Sequence, residues 1–204
     1  MIDSGLLIVV SGPSGAGKGT ICDALRKRFP NIHYSISMTT RSPRPGEVDG
    51  INYYFTNNDH FEELLRQDAF LEHAQVYDHY YGTPKEYVYS MLQEGNHIML
   101  EIDIQGAMQV KEKYPQCVLM YIVPPSKAVL EARLRGRHTD SDEVIAKRLA
   151  KARAELEWIS KYDYLIINDT LDDAVEEAAS ILKAEEDKTA RRIHGLEVLK
   201  KNYQ

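Results

Sequence analysis

Gly12, Gly15, Gly17 and Lys18 follow an apolar run, Leu6–Val10, and lead into a helix-forming stretch. The glycines permit backbone angles that turn successive N–H groups inward, which makes a concave anion site. The helix that follows adds the positive end of its dipole, and Lys18 adds a full charge. The chemistry is the cradling of polyphosphate: Gly12-x4-Gly17-Lys18 is the P-loop spacing, in the strand–loop–helix setting that gives the spacing its meaning. A glycine-rich turn with a chance lysine would lack that setting. The candidate cradle runs through Gly12, Pro13, Ser14, Gly15, Ala16, Gly17, Lys18, Gly19 and Thr20.

The place directly after the lysine usually carries Ser or Thr, whose hydroxyl holds Mg²⁺. Here it is Gly19, and Thr20 comes next. Mg²⁺ readily keeps several waters. The expectation is therefore an ion resting on phosphate oxygens and water, with no direct protein ligand, and Thr20 reaching a more interior phosphate. The same departure speaks against a switch-type GTPase, whose mechanism leans on a protein-held ion.

A second positive site lies farther on. Arg41 and Arg44 are three apart and stiffened by Pro43 and Pro45. Guanidinium forks suit bidentate phosphate recognition better than lysines do, and Tyr53 and Tyr81 could add phenolic donors. On its own, such a pair reads more plainly as an exposed basic turn. Glu101 and Asp103 end another apolar run, His97–Ile102. Ligands of open α/β sheets lie beyond the carboxyl ends of strands, so both acids face the right crevice; helix capping is their other reading.

These groups need a frame. Leu6–Val10 is apolar without alternation, the mark of a strand buried on both faces, and similar runs occur at His97–Ile102, Cys117–Val123 and Tyr164–Ile167. Helical stretches lie between them, at Gly19–Phe29, Gln105–Lys113, Lys127–Arg135 and Asp142–Ile159, with another from Leu171 that extends beyond Glu186. The alternation predicts an α/β core with right-handed crossovers. Ser35 to Gly95 breaks the rhythm. It is rich in Tyr, Pro, Gly and polar turns and reads as an insertion of short strands with two brief helices, Asp59–Gln67 and Pro84–Glu94.

The 204 residues fit one such domain with small insertions. Hydrophobic residues at 43% and charged residues at 27% are ordinary globular values, which excludes disorder of the whole. No apolar run reaches the ~18–20 residues of a membrane helix, and no signal-peptide pattern stands at the N-terminus. Cys22 and Cys117 lie far apart, so neither a disulfide framework nor a cysteine metal site is indicated. A cytoplasmic protein without a membrane partner is the expectation. The net charge of −6 argues against a diffuse nucleic-acid surface. It hides local excesses: Ser126–Arg153 holds eight basic and four acidic residues, and the tail from Lys188, which reads as a helix with a fraying end, five and one.

The stretch from Thr39 to Phe55 matches every fixed letter of T-T-R-x-x-R-x-x-E-x-x-G-x-x-Y-x-F, and so resembles the guanylate kinase family. Only Thr56 departs, where an apolar residue or lysine is usual. The resemblance continues through Phe70–Gln75, Tyr80–Pro84, Leu100–Gly106, Arg133–Arg137, Lys147–Leu149 and Ile166–Asp169, and covers about residues 5–185. It implies a P-loop NTPase-type sheet of five parallel strands flanked by helices, with a small α+β GMP-binding insertion and a helical lid. The implied division is a core of 1–34, 96–125 and 154–204, an insertion of 35–95 and a lid of 126–153.

The resemblance also implies roles. ATP would donate its γ-phosphoryl group to GMP, and to dGMP as well, with Mg²⁺ as the accompanying ion. Arg41, Arg44, Tyr53 and Tyr81 would hold the GMP phosphate, while Ser37, Glu72 and Thr83 would read the guanine. A carboxylate at Glu72 suits guanine's N1–H and 2-amino group and leaves AMP without a match. Glu101 and Asp103 would approach the acceptor and the hydrated metal, Asp103 through water; Glu101 stands where some members carry Asp. Lys18, Arg41, Arg137 and Arg148 would act on the transferring group. Arg133 and Asn168 would complete the ATP site, with Asn168 touching adenine. His138 stands where glycine is common.

Three rivals remain at this point. A scaffold-type binding module would use the acceptor pocket for phosphopeptides but typically has a degraded phosphate loop. A nucleotide switch would not need Arg41, Arg44 and Glu72 at this spacing. A kinase for another phosphorylated acceptor, a pentose phosphate included, would have been favoured by loss of Glu72 or Arg44. A homodimer or a higher homo-oligomer stays open.

Overall fold

The computed structural model describes residues 4–76, 78–136 and 140–204. The chain begins β1 (Leu7–Ser11), α1 (Lys18–Arg28), β2 (Ile32–Tyr34), β3 (Met38–Thr39) and β4 (Tyr54–Phe55). It continues α2 (Asn58–Arg66), β5 (Phe70–Val76), β6 (His79–Pro84), α3 (Lys85–Gln93), β7 (His97–Glu101) and α4 (Ile104–Lys113). The remainder is β8 (Val118–Val123), α5 (Lys127–Arg135), α6 (Asp142–Glu155), a 3₁₀ turn at Leu156–Lys161, β9 (Tyr164–Ile167), α7 (Leu171–Glu186) and α8 (Ile193–Asn202).

The main sheet has the order β2-β7-β1-β8-β9 and is parallel throughout. Its central strand shows why the apolar run does not alternate. Leu6, Ile8 and Val10 pack with Ile21, Leu25 and Leu182 of α1 and α7, while Leu7 and Val9 pack with Val88, Leu92 and Val110 of α3 and α4. Both faces are buried, as expected of a strand at the centre of a helix-covered parallel sheet.

The fifth strand, β2, is absent from the apolar runs of the sequence. It has three residues with His33 at its middle and lies at the sheet edge against β7, where one apolar residue, Ile32, is buried. Two helix ends also differ from the sequence reading. α6 stops at Glu155 and tightens into the 3₁₀ turn, and α7 stops at Glu186; α8, beyond the turn at 188–192, is the helix that the tail reads as.

Between β2 and α3 lies a second sheet of order β4-β3-β6-β5, with β5–β6 and β3–β6 antiparallel and β3–β4 parallel. It has a small core of its own. Phe61 stacks on Phe70 (4.5 Å between centroids) and on Tyr80 (5.3 Å). Gly82 leaves room for this stack, since a Cβ there would lie 2.8 Å from the Phe70 ring. Thr39 and Thr40 lace β3 to β6 by side-chain bonds to the Tyr80 carbonyl (2.9 Å) and N–H (3.0 Å). Phe61 is fully buried, so Phe61→Ala should lower stability by about 3–5 kcal/mol; urea unfolding followed by far-UV dichroism measures the loss.

Candidate active site

The C-terminal ends of β7, β1, β8 and β9 lie side by side in the parallel sheet, with a crevice beyond those of β1 and β7. The loop between β1 and α1 closes its floor. Gly12 has φ 146°, and a Cβ at this position would lie 2.0 Å from the Ile122 carbonyl oxygen on β8. Only glycine lets the loop leave the sheet so close to the neighbouring backbone. Gly17, with φ 89°, forms the N-cap of α1 in the left-handed region and supplies no capping side chain. The first N–H groups of this 11-residue helix are thereby open to an anion.

Lys18 bends back over the loop. Its Nζ donates to the Gly12 carbonyl (2.8 Å) and the Pro13 carbonyl (3.3 Å) and stands 3.9 Å from Glu101. Helix α6 reaches the same place: Arg148 donates to the Ser14 hydroxyl (2.6 Å) and to Asp140 (3.1 Å). A cavity of about 460 Å³, open to solvent, has Gly12, Pro13, Ser14, Lys18, Glu101, Asp103 and Arg148 in its lining. Thr20 is exposed on the first turn of α1, and a Cβ at Gly19 would meet Glu101 at an ordinary 3.6 Å. Arg133 donates to the carbonyls of Asn168 (2.9 Å) and Asp169 (3.2 Å). Asn168 is buried and donates its side-chain amide to the Ala16 carbonyl, 2.7 Å away. Arg137 and His138 lie outside the described residues.

The second sheet brings together the other group. Arg41 lies 5.5 Å from the Tyr53 ring and 5.8 Å from the Phe55 ring, and Tyr53 meets Tyr81 edge-on at 6.0 Å. Glu47 sets this arrangement. One of its oxygens accepts from the Arg41 guanidinium (2.9 Å) and the other from the Arg44 N–H (2.8 Å), so a single carboxylate orients both arginine positions. The Arg41 hydrogen bond, helped by the Arg44 N–H, holds the Glu47 carboxyl below the usual carboxylate range. The letter E of the sequence pattern marked Glu47, but a lone carboxylate six residues after an arginine carries no visible role until the loop folds.

Glu72 is buried on β5, where it accepts from the Thr83 hydroxyl of β6 at 2.6 Å. Burial pushes its carboxyl above the usual range, against the lowering effect of Thr83, and nearby Asp103 raises it further. The first turn of α4 comes up against it: a Cβ at Gly106 would lie 2.7 Å from a Glu72 oxygen. Asp103 caps that turn by accepting from the Gly106 N–H (3.0 Å), so it is a helix cap as well as a wall of the crevice. A cavity of about 380 Å³ is lined by Tyr34, Ser35, Ser37, Asn52, Tyr53, Thr83, Leu100, Glu101 and Ile102. Ser35, Asn52 and Tyr34 are additions to the residues named from sequence. The Ser35 hydroxyl is buried with no partner among the described residues, and nothing in its sequence neighbourhood signalled that.

The Guanylate kinase family model matches residues 4–185. The chain is 56% identical over 181 residues to a guanylate kinase of Caldanaerobacter subterraneus subsp. tengcongensis, covering 89% of this chain and 88% of that one. It is 54% identical over 187 residues to a guanylate kinase of Carboxydothermus hydrogenoformans, covering 92% of each. Among solved structures it is similar to the guanylate kinase from Anaplasma phagocytophilum, with a TM-score of 0.75 at 31% identity over 95% of this chain and 94% of that one. With its phosphate loop, its paired arginines and a match that spans both sheets, the chain belongs to the guanylate kinase family.

Proposed function

We propose that this protein transfers the γ-phosphoryl group of ATP to GMP, and to dGMP as a second acceptor, giving ADP and GDP. The observation that carries the reading is a shared wall. Glu101 and Ile102 line both the cavity above the phosphate loop and the cavity bordered by Ser37, Tyr53 and Thr83. Two phosphate-bearing ligands in these cavities meet at one strand end.

The attacking atom is an oxygen of the GMP phosphate, already ionised near neutral pH, so the reaction needs no strong general base. The difficulty is bringing two polyanions into line and stabilising charge on the group in transfer. Lys18 and Arg148 supply fixed positive charge from the donor side, and Arg41 and Arg44 from the acceptor side. Glu47 keeps the Arg41 fork oriented before GMP arrives, which lowers the ordering cost of binding. Thr83 and Glu72 read the guanine edge, with Ser37 beside them. The Glu72 carboxylate accepts from N1–H and the 2-amino group, whereas AMP would leave it buried and unmatched.

Mg²⁺ fits this site as a passenger of ATP that screens the phosphate charges. Among the described residues no cluster of three or more acidic, His or Cys side chains could hold a metal ion. Asp103 and Glu101 line the donor cavity and would accept hydrogen bonds from the ion's waters. The division into a core, an acceptor insertion of 35–95 and a lid of 126–153 fits the need to exclude water before transfer. No described helix is long and apolar enough to cross a membrane. A cytoplasmic setting matches both the nucleotide substrates and the two free cysteines, whose thiols burial pushes up to about 12 (Cys22) and about 11 (Cys117).

A coupled assay of ADP release with ATP and GMP, AMP, CMP or UMP in turn tests the reading; equal rates with GMP and AMP would sink it. In the same assay Glu72→Gln should cut kcat/KM for GMP by roughly 10²-fold or more and leave the KM for ATP little changed. Lys18→Ala should lower kcat with every acceptor by about 10²–10³-fold. Glu72 also has a stability signature. Its folded-state pKa is raised, so the stability it contributes is fully present below the ordinary carboxylate pKa and is lost as pH rises through the raised value. Glu72→Gln should therefore raise the Tm of the ligand-free protein at pH 8, with the gain vanishing towards pH 4, as read by thermal melts across that range.

A further inference from the structure

Asn168 holds three elements at one point. It follows β9 directly, and its backbone N–H donates to the Val123 carbonyl at the end of β8 (2.8 Å). Its carbonyl accepts from Arg133 of α5 (2.9 Å), and its side-chain amide donates to the Ala16 carbonyl in the phosphate loop (2.7 Å). The residue is buried, at 5% exposure. The contact with the loop is face to face: a Cβ on Gly17 would lie 2.4 Å from the Asn168 side-chain nitrogen.

The bond falls on the peptide linking Ala16 to Gly17. The described residues contain no cis peptide, and in a trans peptide the C=O and N–H point in opposite directions. A donor that fixes the Ala16 carbonyl towards Asn168 therefore fixes the Gly17 N–H to point away from Asn168. The same bond polarises the peptide and strengthens the N–H as a donor. Asn suits the task because it donates without bringing a charge near the phosphates. An Asp at this place would set a carboxylate against a carbonyl oxygen.

We propose that Asn168 is a positioning residue of the donor site: its buried amide aims the Gly17 N–H at the donor's phosphates, whatever base the donor carries. The proposal rests on the reading that this loop holds the donor triphosphate. It gives the side chain a different task from contact with adenine.

Two ligands separate the alternatives: ATP, and inorganic tripolyphosphate, which has no base. Titration calorimetry on the full-length protein with magnesium chloride present would measure both, with GMP affinity and the melting curve as checks on folding. Asn168→Ala should weaken tripolyphosphate and ATP by a common factor of about five- to ten-fold, the loss of one oriented hydrogen bond, with GMP affinity kept. A variant that loses ATP affinity and keeps that for tripolyphosphate would overturn the proposal. Asn168→Asp is the second variant. Relative to wild type it should be weak for tripolyphosphate at pH 8 and recover towards pH 5, where the protonated carboxyl regains a donor. A deficit that does not change with pH would overturn the proposal equally. Wild-type protein that bound neither ATP nor tripolyphosphate would instead refute the phosphate-loop reading beneath it.

Discussion

The register between β1 and β7 is the constraint from which the rest of the site follows. Val10 lies opposite Glu101, the Ile102 N–H donates to the Val10 carbonyl (3.3 Å), and the Ser11 hydroxyl donates to the Ile102 carbonyl (2.8 Å). β1 delivers the phosphate loop and β7 delivers Glu101 and Asp103, so these bonds set how far the donor floor stands from the acceptor wall. A slip of one residue would turn every side chain to the opposite face. It would exchange Leu7 and Val9 with Ile8 and Val10 between two cores built for different partners. The cost of that exchange protects the catalytic spacing.

Positive charge in the site is held in place before any nucleotide binds. Lys18 rests on two loop carbonyls near Glu101, Arg148 on Asp140 and Ser14, and Arg41 on Glu47 and the Ser42 carbonyl. For Arg41 and Arg148 these contacts use only some of the five donors that a guanidinium carries. The two arginines are thus oriented without being exhausted. This explains how a chain of net charge −6 can serve two polyanions: the acidic body supplies the partners that aim a few cations.

Much of this was legible in the sequence because it depends on local chemistry. The glycines of 12–17 announce left-handed backbone, and the unbroken apolar run of Leu6–Val10 announces a strand covered on both sides. The family motifs point to Arg41, Arg44 and Glu72. Other features depend on contacts between distant segments and leave no local trace. β2 is too short and too polar at His33 to register as a strand, and its place is decided by β7. Glu47 gains its role only when the proline-stiffened loop folds back on Arg41. The direction of the Asn168 side chain depends on where the phosphate loop passes, 152 positions away. The end of α6 at Glu155 likewise follows from the approach to β9 rather than from a helix-breaking residue.

The small aromatic core of Phe61, Phe70 and Tyr80 has a consequence for how an acceptor is selected. Most of the groups proposed to grip GMP, from Ser37 through Arg41, Arg44, Tyr53, Glu72 and Tyr81 to Thr83, lie on the sheet built around that core or on its loops. Base and phosphate would then be judged by one module. Discrimination among acceptors would rest with a minor module, and the larger sheet would carry the donor loop.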